Sequence, residues 1–153
     1  MLRDLFLKNG RIVTESEIIA GGVAVQEGKI AAIIPRGQEV DARQVVDLEG
    51  KMVLPGLVDG HVHFNEPGRT HWEGYLTGSM AAAAGGVTTV LEMPLNATPP
   101  TINDALLHDK RRLAATQSVV DYANWGGLVN NNLADLAAIR SMLRCRPACG
   151  RMR

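Results

Sequence analysis

Apolar and polar residues alternate in short runs over about the first fifty positions, and from Met52 onward longer blocks of strand-like and helical pattern take over. Leu5-Phe6-Leu7-Lys8 and Arg11-Ile12-Val13 flank Asn9-Gly10, a dipeptide that tolerates positive φ twice and so predicts a hairpin turn. Val23-Ala24-Val25 and Lys29-Ile30-Ala31-Ala32-Ile33, with Glu27-Gly28 between them, predict a second hairpin. A further strand is expected from Gln44 to Asp47, and no helical period interrupts this stretch. Residues 1–51 therefore read as a small β unit.

Beyond it, Val53-Leu54-Pro55-Gly56-Leu57-Val58 runs into Asp59-Gly60-His61-Val62-His63-Phe64, a strand followed by a Gly- and Pro-containing loop. Thr70-His71-Trp72-Glu73 has the spacing of a capping box, which predicts a helix opening there and running to about Ala84. Gly85-Gly86 closes that helix, and Val87 to Met93 reads as a β-branched buried strand. Thr101 to Asp104 repeats the cap spacing ahead of a helix to about Gln117. Asp121 to Val129 reads as another strand, and Asn132 to Asp135 opens a last helix ending near Leu143. Strands alternating with helices mean parallel βαβ units, so the fold class is α/β. Such units build either an open doubly wound sheet or a (β/α)8 barrel. No G-x-G-x-x-G follows the first strand, which weighs against a dinucleotide-binding sheet.

Composition narrows the class only a little. Of 153 residues, 46% are hydrophobic and 21% charged, enough apolar content for a sizeable core. The formal net charge is zero, so neither nucleic acid nor a membrane surface is expected as a partner. No apolar stretch approaches the ~20 residues of a membrane span. Met1-Leu2-Arg3-Asp4 carries an acid and no small-residue cleavage site, so no signal peptide is read and a cytoplasmic location is expected. Cys145 and Cys149 have no other Cys or His nearby and are read as free thiols.

The chemistry concentrates in His61-Val62-His63. Alternate strand residues share a face, so both imidazoles project together while Val62 and Phe64 face the apolar side. Two neutral imidazoles on one face supply half of a divalent metal site. Asp59, two residues earlier, is placed to accept the other N–H of a ligand imidazole and fix its tautomer. H-x-H also occurs on half-exposed strands without a metal. Its position where a parallel strand gives way to a loop, the usual location of barrel active sites, favours the metal reading. His71 falls in the expected cap, and His108 sits with Asp109, Lys110, Arg111 and Arg112 in what reads as a solvated charge run. Glu66 and Arg69, which could touch a polar substrate, read rather as solvated loop charges, and Trp72 and Tyr75, three apart, as packing residues rather than a substrate-stacking pair.

Pro55-Gly56-Leu57-Val58-Asp59-Gly60-His61-Val62-His63 resembles the first-strand signature of the amidohydrolase superfamily. Glu66-Pro67-Gly68, Ala83-Ala84-Gly85-Gly86-Val87-Thr88-Thr89 and Met93-Pro94 are similar to its cyclic amidohydrolase branch of dihydroorotases, hydantoinases and allantoinases, as are Lys8-Asn9-Gly10 and Glu27-Gly28-Lys29-Ile30-Ala31-Ala32-Ile33. The resemblance runs from about residue 4 to 143. Dihydroorotases typically place Arg two residues after the second histidine to hold a substrate carboxylate, and Asn directly after Met-Pro; here those positions are Asn65 and Leu95. Losing the bidentate clamp disfavours an acid substrate. Pro67 to Tyr75 and Glu92-Met93-Pro94-Leu95-Asn96 look like the allantoinase group of the branch, whose substrate is a neutral ureido-hydantoin.

The resemblance implies a (β/α)8 TIM barrel, of which this chain holds the first three βα units over residues 52–143, preceded by N-terminal strands of a small β-sandwich. It implies hydrolysis of a cyclic amide at a two-metal site, with zinc the expected metal, His61 and His63 as ligands, Asp59 behind them, and Asn65 and Asn96 toward the substrate. A carbamylated lysine, two later histidines and a late aspartate as general acid/base complete that site in the family, so no catalytic residue is assigned in this chain. Homo-oligomers, often tetramers, are usual for the branch. Dihydropyrimidinase, hydantoinase or dihydroorotase activity is the alternative within it, and a non-catalytic fragment the alternative of another class.

Arg144-Cys145-Arg146-Pro147-Ala148-Cys149-Gly150-Arg151-Met152-Arg153 departs from the pattern, because a fourth strand bearing the lysine is expected close to residue 148. Lys8, Lys29, Lys51 and Lys110 are the chain's lysines, none suitably placed. The expectation is a shifted reading frame after about Leu143, or a truncated gene, and inactivity of the fragment by itself.

Overall fold

Two structural units divide the chain in the computed structural model, Met1–Pro55 and Gly56–Arg153. The structure describes residues 2–135, 137, 139 and 140. The basic tail 144–153, both cysteines, and positions 136, 138 and 141–143 of the helix expected to reach Leu143 lie outside the described residues.

The first unit is a five-stranded mixed sheet. Strand β1 (Arg3–Val13) pairs antiparallel with β2 (Ile18–Gln26), which pairs antiparallel with β3 (Lys29–Pro35). The other edge of β1 takes β4 (Ala42–Asp47) and then the short β5 (Met52–Val53), both parallel. Met52 and Val53, read from sequence as the start of the second domain, therefore pair inside the first unit. Phe6, Ile12, Val23 and Ala24 form its buried apolar core. The hairpin expected at Glu27-Gly28 is present, with both residues at positive φ.

The hairpin expected at Asn9-Gly10 is not. Asn9 alone takes positive φ there, and the β1–β2 register gains one residue on β1 between Leu7 and Gly10. The dipeptide's tolerance of left-handed backbone is spent on a bulge in one long strand, because the runs on either side of it pair with the same neighbour. The Asn9 amide donates to Asp47 Oδ2 at 2.8 Å, tying the bulge to β4.

The second unit is α/β. Its three-stranded parallel sheet has the order β6 (Leu57–Val62), β7 (Val87–Glu92), β8 (Asp121–Asn124), and helices α1 (Tyr75–Ala84) and α2 (Asp104–Gln117) make the crossovers. Phe64, Tyr75, Val90, Ala114, Val120 and Tyr122 form the core between sheet and helices.

Helix ends match expectation, and helix starts do not. Gly85 caps α1 with Gly86 at positive φ, and α2 stops at Gln117. Helix α1, however, opens at Tyr75 rather than Thr70, with Gly74 as N-cap and no side-chain cap bond from it. The Glu66 carboxylate takes that role from nine residues upstream, accepting from Tyr75 N at 2.8 Å, where a negative charge also complements the helix dipole. Local spacing could not reveal a cap delivered by a folded-back loop. Helix α2 is capped by Asn103, whose Oδ1 accepts from Leu106 N, not by Thr101.

Candidate metal-binding site at the end of the first parallel strand

His61 and His63 leave the C-terminal end of β6 with their rings turned toward each other. Their Nε2 atoms lie 3.2 Å apart and the ring planes meet at 65°. Both side chains are exposed, while Val62 and Phe64 turn to the helix-covered core, as period-two alternation predicts. Two nitrogens each ~2.05 Å from one tetrahedral ion would be about 3.3 Å apart. The pair thus fits two ligand positions of a divalent metal. Among the described residues, no group of three or more His, Cys, Asp or Glu side chains could hold such an ion.

Asp59 contacts the main chain just ahead of the pair. Its Oδ1 accepts from the main-chain N–H of His61 at 3.1 Å. A register irregularity between Asp59 and Val62 puts one extra residue on β6 there.

Asn65 follows at positive φ, 7% exposed, and its Oδ1 is buried with no hydrogen-bond partner among the described residues. Asn96 lies on the loop after β7, where its main-chain oxygen accepts from Arg69 Nη1 at 3.3 Å. Arg69 also stacks its guanidinium 5.0 Å from the centre of the Trp72 ring. Trp72 is exposed and Tyr75 fully buried, so only Tyr75 fills the packing role expected of both. His71 and His108 are exposed. Glu66, expected in solvent, is buried and joins the start of α1 to Gln117 at the end of α2.

Lys110 is the larger correction. Within the supposed solvated run it is 2% exposed and forms an ion pair with Glu92, which is wholly buried at the end of β7. Lys110 also donates to Met93 O at 3.3 Å. Burial pushes the Glu92 carboxyl up and the Lys110 ammonium down from their ordinary values, against their mutual attraction. The sequence carried a signal: Leu107, Lys110 and Ala114 fall at i, i+3 and i+7, one face of α2, and all three are buried. Burial likewise raises the Tyr75 phenol, beside which Glu92 adds repulsion while the Asn124 amide donates to its oxygen.

The model of the amidohydrolase family matches residues 52–145. The chain belongs to the amidohydrolase family. It is 47% identical over 134 residues to an allantoinase of Streptomyces avermitilis, covering 87% of this chain and 30% of that protein. It is 49% identical over 131 residues to an allantoinase of Escherichia coli, covering 85% and 28%. Among solved structures, an L-hydantoinase (dihydropyrimidinase) from Arthrobacter aurescens superposes with a TM-score of 0.83 at 35% identity, over 92% of this chain and 31% of that one. A dihydropyrimidinase from Brevibacillus agri does so with a TM-score of 0.75 at 27% identity, over 91% and 30%. This amidohydrolase chain thus spans about 30% of the length of the curated relatives it matches.

Proposed function

We propose that this sequence carries the first metal half-site of a cyclic amidohydrolase that opens allantoin to allantoate. The observation that carries the reading is the convergence of the His61 and His63 Nε2 atoms to 3.2 Å at the end of a parallel strand. It is joined by 47% identity to an allantoinase through the same region. His61 and His63 would hold a divalent metal, zinc by its affinity for imidazole. Such an ion, when bound, supplies a nucleophile at neutral pH and polarises the amide carbonyl. The chain's own residues provide the two nitrogens and the strand end that carries them. In this reading Asn65 serves amide recognition, which its buried amide oxygen without a hydrogen-bond partner among the described residues supports, and Asn96 contacts the substrate from the β7 loop.

In the complete protein, the residues from Gly56 to about 143 form the opening βα units of a barrel of about 250 residues, and Met1–Pro55 part of a β-sandwich. The bridging carbamylated lysine and remaining ligands come from further sequence. The proposal extends to a homo-oligomeric, cytoplasmic enzyme acting on a small molecule, as the resemblance to the branch implies. Among the described residues no helix is long and apolar enough to cross a membrane. Hydrolysis of hydantoins or dihydropyrimidines is the second reading, favoured by the 0.83 superposition on an L-hydantoinase.

The test is to assay an intact gene product extending through the missing ligands against allantoin, hydantoin, dihydrouracil and dihydroorotate, with and without His61→Ala/His63→Ala. Allantoin is expected to turn over fastest, and the double substitution to abolish turnover. Activity indifferent to both rings would end the proposal. The 153-residue chain assayed alone is expected to be inactive.

A further inference from the structure

We propose that Trp125 is a positioning residue for the histidine pair, acting through the Gly60–His61 peptide; this rests on the metal reading above. The β6–β7 ladder runs Asp59↔Val90 and then Val62↔Glu92, so Gly60 and His61 have no register partner on β7. Gly60 has no side chain to pack, and a Cβ built there would meet nothing within 4 Å. The peptide unit directly before the first ligand thus lacks both the ladder and side-chain packing that normally fix a strand.

Two side chains replace them. The carbonyl of that unit, Gly60 O, accepts from the Trp125 indole Nε1 at 3.2 Å, and its N–H, from His61, donates to Asp59 Oδ1 at 3.1 Å. One peptide plane is therefore held at both ends. Trp125 is itself anchored where β8 ends, its main-chain N–H donating to Glu92 O at 2.9 Å. Its indole reaches from beyond β8 past β7 to β6, linking all three strands at the end where the imidazoles emerge. Trp125 is 49% exposed, so this tie, rather than burial, accounts for the orientation of its ring. Rotation of the Gly60–His61 plane would swing the His61 Cα–Cβ bond and open the 3.2 Å spacing. The Trp125–Asp59 clamp resists that rotation and holds the pair ready for metal.

The experiment uses the 153-residue chain, with zinc affinity read by competition against a chromophoric chelator and imidazole signals read by NMR without metal. Trp125→Phe, which keeps a ring and deletes the donor, is expected to weaken zinc binding about five- to tenfold. It should also shift the metal-free His61 and His63 ring signals while the circular dichroism stays unchanged. Asp59→Ala is expected to weaken binding similarly, and Asp59→Asn, which keeps an acceptor for the His61 N–H, to recover most of that loss. In the unsubstituted chain the Trp125 indole proton should exchange with solvent more slowly than that of a free indole. Parent-like affinity and ring signals in Trp125→Phe, an Asp59→Asn no better than Asp59→Ala, or indole exchange at the free rate would each overturn the clamp. Zinc binding that survives His61→Ala/His63→Ala would instead overturn the metal reading.

Discussion

The two faces of the β6–β7–β8 sheet are built on opposite terms. On the helix side, Phe64, Tyr75, Val90 and Tyr122 are buried together, and even the charges of Glu92 and Lys110 are enclosed. On the other side, the same β6 presents His61 and His63 in the open. One residue step along a strand separates a finished core from an exposed ligand pair. Enclosure makes polar groups expensive to disturb, whereas exposure leaves them cheap to replace and available to bind.

The sharpest way to break this contrast is to strand a charge on the covered face. Lys110→Met leaves Glu92 uncompensated and is expected to cost ~3–5 kcal/mol in urea denaturation, with Glu92→Met/Lys110→Met recovering most of it. A loss below about 1 kcal/mol would place the pair in solvent, on the scale of surface ion pairs. Next comes Gly78→Ala. A Cβ there would sit 2.4 Å from Phe64 Cε1, so overpacking of about 1–3 kcal/mol is expected, read as a lowered melting temperature.

Titration should separate the faces too. The Glu92 pKa is raised above its ordinary 4.5, so the folded chain holds the extra proton and stability falls as pH rises just above that value. The Lys110 pKa is lowered below its ordinary 10.5, so the unfolded chain holds more protons and stability rises as pH approaches that value. Both slopes should vanish from denaturation midpoints of Glu92→Met/Lys110→Met; their persistence would assign them to other groups. The smallest effect belongs to the open face. His61→Ala/His63→Ala should change stability by within ~0.5 kcal/mol while removing zinc binding, and a larger loss of stability would make the pair structural.

The sequence by itself determined the succession of strands and helices, the Gly85-Gly86 stop and the shared face of His61 and His63, because period, chirality and glycine's backbone freedom act over a few residues. It also carried the family resemblance in contiguous motifs. Tertiary structure decided what depends on distant partners. Asn9-Gly10 became a bulge because both flanks met β2, and Glu66 became a helix cap because its loop folded back over α1. Lys110 was drawn inside because Glu92 awaited it across the sheet–helix layer, and Trp125 reached Gly60 over 65 residues of sequence. A side chain's own chemistry is written locally, but whether water surrounds it depends on which segments pack against it.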